Sequence, residues 1–149
     1  MPARIRFSKR SICPVANTLD LIGEKWTLLL IRDMLLLGKR RFGELLRSEE
    51  GIPTNILTDR LRRLEDCGIV RKRLYRRLPT RYEYRLTTKG TDLFPILREM
   101  VRWANRHIAT TAVPAPGWLE QVAKVAADEA AAGEAARARP PRSRSSLDV

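Results

Sequence analysis

The chain has 149 residues, with Lys+Arg 29 against Asp+Glu 17 and a formal net charge of +12 at pH 7. That length suits one domain of ordinary size with tails, and the cation excess predicts attraction to polyanions, nucleic acid first. One histidine with scattered carboxylates offers no catalytic constellation, and two isolated cysteines are too few for a disulfide framework or a zinc site, so no enzyme, cofactor or metal is expected.

MPARIRFSKRS reads as a basic arm over residues 1–12, carrying Arg4, Arg6, Lys9 and Arg10 without helical periodicity. PVANTLDLIG predicts a short helix, with Pro14 in its first turn and Gly23 near its end. KWTLLLIRDMLLLG predicts a second helix, apolar on nearly all sides except at Lys25, Arg32 and Asp33, which suits the centre of a small domain. Its apolar run is too short to span a bilayer and no signal-peptide pattern precedes it, so a cytoplasmic protein without a membrane partner is expected. KRRF suits a short edge strand and FGELLRSEE a third helix of about two turns. GIPT then makes a turn, and Pro53 pre-sets the start of a helix running to about Cys67, which Gly68 ends.

IVRKRLYRR and TRYEYRLT alternate partially and flank turn residues around Leu78-Pro79-Thr80, the pattern of a β-hairpin. TTKG opens a long final helix through TDLFPILREMVRWANRHI, capped by Thr87 or Thr88, with Pro95 expected to kink or restart it. Phe94, Leu97, Val101, Ala104 and Ile108 recur there at helical spacing. Residues 110–149 form an Ala/Pro/Arg-rich tail, expected to be partly an exposed helix and partly disordered at PPRSRSSLDV.

The helix beginning at Thr54 carries the functional signal. Leu57, Leu61 and Leu64 stack on one face, leaving Asn55, Asp59, Arg62 and Asp66 opposite, with Thr58 and Arg63 on the flanks. Asn and Arg have paired groups that match adenine and guanine edges. Thr54, Asn55, Thr58, Asp59 and Arg62 are therefore candidate base contacts, while Arg63 suits a base or a phosphate. Arg60 leans towards the leucine face, where an ion pair with Glu44 or Asp33 is expected.

A charge-rich helix face alone is equally well a solvated face; the hairpin changes the balance. Arg71, Lys72, Arg73, Arg76, Arg77, Arg81 and Arg85 share it with only Glu83 in opposition. Such repulsion between adjacent strands serves no core and is offset most simply by polyphosphate. Arg71, Arg73, Arg76, Arg77 and Arg81 join Arg63 as candidate DNA-backbone contacts. A helix–turn–helix followed by a basic hairpin is the winged-helix order, in which the second helix enters the major groove. The expected class is thus mainly α with a small β-hairpin. A sequence-independent coating protein for RNA or DNA is the alternative reading of the same charges.

The combination of Cys-Pro, Gly-x-Lys-Trp-Thr, Arg-Phe-x-Glu-Leu, Leu-x-x-Arg-Leu-x-x-Leu-Glu and Tyr-x-Leu-Thr-x-x-Gly, spread from Cys13 to Trp103, resembles the HxlR-type transcriptional regulators related to the MarR group. The resemblance implies a winged-helix DNA-binding and dimerisation domain over residues 13–109. It further implies a homodimer built from the N-terminal and last helices, bound to double-stranded DNA at a two-fold symmetric operator. By the same pattern Trp26, Arg41, Phe42, Leu45 and Trp103 are scaffold, with the tryptophans in the core or the subunit interface. Many members carry Ser or another small residue where this chain has Pro53. No small-molecule effector is identified. Cys13 is a candidate redox sensor: it precedes the first helix, where backbone N–H groups and Lys9 and Arg10 favour a thiolate, and some HxlR-type proteins have an oxidant-responsive cysteine here. The alternative is a small hydrophobe buried at the dimer seam.

Overall fold

The computed structural model describes residues 11–138. The basic arm up to residue 10 and PPRSRSSLDV lie outside the described residues. The elements are α1 (Pro14–Ile22), α2 (Lys25–Leu36), α3 (Phe42–Leu46), α4 (Thr54–Asp66), β1 (Val70–Arg76), β2 (Arg81–Leu86), α5 (Thr88–Thr91), α6 (Phe94–His107) and α7 (Trp118–Ala138). This is the expected mainly helical winged helix–turn–helix, with α3 and α4 as its two helices and β1–β2 as its wing.

Apolar periodicity explains the packing. Leu30 and Ile31 of α2, Leu45 of α3, Leu57 and Leu61 of α4 and Leu86 of β2 are essentially fully buried in one core. Each such side chain stabilises the fold by about 1.5–3 kcal/mol through its removal from water. Helix α4 ends because Gly68 takes a left-handed φ of 71°. Its N–H donates to the Glu65 carbonyl at 3.0 Å while Ile69 N–H reaches back to the Leu64 carbonyl at 2.9 Å, closing the helix end in a two-bond glycine motif. The chain then leaves directly into β1.

Two local expectations change, and a third, the kink or restart at Pro95, resolves as a restart. KRRF forms no strand; a single bond from Tyr84 N–H to the Arg40 carbonyl, 2.6 Å, sets it beside β2. Helix α3 has five residues rather than two full turns, because Ser48 turns its end inwards. The long last helix is split: α5 stops at Thr91, and α6 restarts at Phe94 with Pro95 in the first turn, where a missing N–H leaves no bond unmade.

Asp33, buried within α2, ties these pieces together. Its carboxylate accepts from Arg32 at 2.9 and 2.6 Å, from Lys39 Nζ at 3.0 Å and from the Ser48 hydroxyl. A buried carboxylate is tolerable only when paired and hydrogen-bonded in this way. Lys39 precedes α3 and Ser48 follows it, so one side chain of α2 holds both ends of the first helix of the helix–turn–helix. Arg32 also donates to Glu50 in the turn before α4, at 2.5 and 2.9 Å.

The alanine-rich segment forms α7, but not as a wholly exposed helix. Val122 and Ala126, one turn apart, join the core, with Trp118 and Leu119 packed at its edge. The helix lies against α5, α2 and α6, and Glu129 pairs with Arg40. Its small side chains permit that close approach.

Candidate nucleic-acid interface

Helix α4 presents two opposed faces. Leu57, Leu61 and Leu64 are buried, whereas Thr54, Asn55, Thr58, Asp59, Arg62, Arg63 and Asp66 are exposed. Pro53 occupies the N-cap without a side-chain bond, and Leu57 N–H closes the first turn on the Pro53 carbonyl at 2.9 Å. The first-turn N–H groups therefore face outwards without a capping side chain, an arrangement suited to an anion.

Not every polar side chain on that face is equally available. Thr58 Oγ1 donates to the Thr54 carbonyl at 2.9 Å, and Asp59 accepts from Arg60 at 2.7 Å. Asn55, Arg62 and Arg63 have no side-chain hydrogen bond among the described residues. Arg60 itself corrects an expectation. Its partners are Glu24 and Asp59, not Glu44 or Asp33. Asp33 is already saturated by Arg32, Lys39 and Ser48, and Glu44 caps α3 by accepting the N–H groups of Arg40 and Arg41 at 2.9 and 3.0 Å. Those two bonds hold the Glu44 carboxyl below its ordinary range.

The wing places like charges opposite one another. Arg71 faces Arg85, and Arg76 faces Arg81 across an irregularity between Leu74 and Arg76. Arg73, Arg76, Arg77 and Arg81 are exposed. Arg85 is drawn to Glu83 at 2.8 Å, and Arg76 Nε donates to the Leu78 carbonyl at 3.0 Å. Arg71 differs from its neighbours: it is half-buried, with its guanidinium beside Gly133 of α7. Two cations of this region lie over tyrosine rings, Arg41 over Tyr75 at 4.6 Å and Lys72 over Tyr82 at 4.4 Å.

Cys13 is exposed in the single chain and serves as N-cap of α1, its N–H donating to Ser11 Oγ at 3.0 Å. Cys67 is half-buried, and burial pushes its thiol up. Among the described residues no group of His, Cys, Asp and Glu suits a metal, and no helix is long and apolar enough to cross a membrane.

Sequence reasoning missed two features. The Asp33 knot had one signal, an aspartate within a helix otherwise apolar almost all round. The other is which residues form the uncovered apolar stripes on the N-terminal and last helices, the two expected to pair. Val15 and Leu19 of α1, with Ile12 just before it, are exposed, as are Ile96, Met100 and Trp103 of α6 and Ile108 just after it. Trp26, by contrast, is half-buried against the core.

Comparison with known proteins follows the same outline. Residues 21–112 match the family described as HxlR-like helix-turn-helix. The HTH-type transcriptional regulator sll1512 of Synechocystis is 42% identical over 115 residues, 77% of this chain and 76% of its own length. Mb3122 of Mycobacterium bovis, another HTH-type transcriptional regulator, is 42% identical over 94 residues, 63% of this chain; the match spans only 58% of that relative's length. Among solved structures, PA1607, described as a transcription factor, superposes with a TM-score of 0.62 at 38% identity, covering 72% of this chain and 74% of that one. The redox regulator HypR in its oxidised form gives 0.58 at 40% identity, covering 68% of this chain and all of HypR.

Proposed function

This chain belongs to the HxlR-like helix-turn-helix family of transcriptional regulators, and from that premise we propose that it binds a two-fold symmetric operator sequence-specifically, as a homodimer. The observation that carries the reading is the exposed polar face of α4, with Asn55 and Arg62 open on it, beside a cationic wing. Thr54, Asn55, Thr58, Asp59 and Arg62 meet base edges in the major groove, with Asn55 and Arg62 the most available. Arg63, Arg73, Arg76, Arg77 and Arg81 take phosphates, as does Arg71 where α7 leaves it access. Two such helices about one DNA turn apart require two subunits. The uncovered stripes of α1 and α6 supply the surface through which residues 13–109 would pair. Such a regulator works in the cytoplasm, and no catalytic role is assigned to it.

Recovering and sequencing the genomic fragments bound by the protein gives the operator. On that fragment Asn55→Ala and Arg62→Ala should each cost about 1–3 kcal/mol and relax preference at one base position. A uniform loss over all sequences would move these residues to the phosphate class and favour a coating protein. The likeness to HypR, a redox regulator, supports an oxidant response at Cys13, an exposed residue. Mild oxidation should change the DNA affinity of the wild type and leave Cys13→Ser unaffected. If both respond alike, Cys13 is not the sensor.

A further inference from the structure

Three arginines line a cleft that the reading above leaves without a role of its own. Arg41 at the start of α3, Arg47 just past its end and Arg81 at the start of β2 line a cavity of about 460 Å³ between the helix–turn–helix and the wing. All three are exposed, and none has an ion-pair partner among the described residues. The carboxylate in the wall, Glu44, is committed to the N–H groups of Arg40 and Arg41. The four charged side chains of the cleft therefore sum to +2.

The chemistry selects an anion rather than a base. Tyr75 and Tyr82 also line the cleft, but each ring already has a cation over it, Arg41 and Lys72 respectively. Stacking of this kind holds the Arg41 fork in place. Planar guanidinium forks match phosphate oxygens in pairs. Glu44 offsets part of the repulsion among these cations, and a phosphate removes the rest.

We propose that this cleft seats the DNA backbone, with Arg41 and Arg47 as phosphate contacts additional to those of the wing. The proposal rests on the DNA-binding reading above. A phosphate held there bridges the two ends of α3 to Arg81 of the wing, and so fixes the wing relative to α4.

The test uses the full chain and a duplex of scrambled sequence, with affinity followed from 50 to 200 mM salt. Each phosphate contact adds about 0.9 to the slope of log affinity against log salt, so this fourfold rise in salt weakens binding by roughly 3.5-fold per contact. The double variant Arg41→Gln/Arg47→Gln should lower the slope by about two, making its loss over that range roughly 12-fold smaller than that of the wild type. The single variant Arg47→Gln, at an exposed side chain just past α3, should lower the slope by about one, and it decides the matter if the double variant fails to fold. Arg47→Lys should keep the slope, since a retained charge still displaces a counterion. Wild-type binding with unchanged slopes in the double variant and in Arg47→Gln overturns the cleft alone. A wild type that binds no duplex DNA overturns the DNA-binding reading, and the cleft with it.

Discussion

Gly90, within α5, is pressed against the base of the wing. A Cβ there would stand 2.4 Å from the Ile69 carbonyl oxygen and 2.8 Å from a Leu86 side-chain carbon. Thr87 enforces the approach: its hydroxyl donates to the Gly68 carbonyl at 2.6 Å and accepts from Gly90 N–H at 3.2 Å. Gly90→Ala should therefore destabilise the protein by roughly 1–3 kcal/mol, because backbone and core must both shift. Denaturant midpoints measure this, and an unchanged midpoint would mean that α5 is free to move away. The sequence showed the cap at TTKG but not the close approach, since two backbones meeting at distance leave no periodic trace. Arg60 teaches the same lesson. Its lean towards the leucine face was legible, while its partner depended on which carboxylates other residues had already taken.

The helix–turn–helix is held by charge as well as by leucines. Glu50, in the turn between α3 and α4, is held at a pKa of about 2 by hydrogen bonds from Arg32. Its folded value lies below its ordinary one, so the pair's contribution is complete above about pH 4.5 and is lost as pH falls towards about 2. Glu50 is partly exposed, which limits that contribution to about 1 kcal/mol or less. Acid unfolding of the wild type should be steeper between those limits than that of Glu50→Gln, and superimposable curves would remove the pair from the stability of the turn. Helix α4 and the hairpin were readable because each repeats its apolar positions at its own period. Helix α3 was overextended because its limits come from Glu44, Ser48 and Asp33, side-chain bonds that periodicity does not record.

For the whole molecule, the apolar stripes of α1 and α6 are the features a monomer leaves unexplained. Trp103 is 61% exposed and Met100 49%. The sequence could not divide its tryptophans between core and interface; the structure sets Trp26 against the core and Trp103 outside it. The wild type should sediment as a dimer at micromolar concentration, and Met100→Asp/Trp103→Asp as a folded monomer with much weaker operator binding. A wild-type monomer, with and without DNA, would count against pairing through these helices. Helix α7 bears on a different matter, the order in which the protein is made. Among the described residues, Val122 and Ala126 follow every other buried apolar side chain of the core. As the polypeptide emerges from the ribosome, α4 and the wing are already complete while α2 and α5 still lack the helix that will lie against them. The domain without α7 thus holds its DNA-reading parts with one side of its core open, and a released chain ending before Trp118 should be cut by protease faster than the full one.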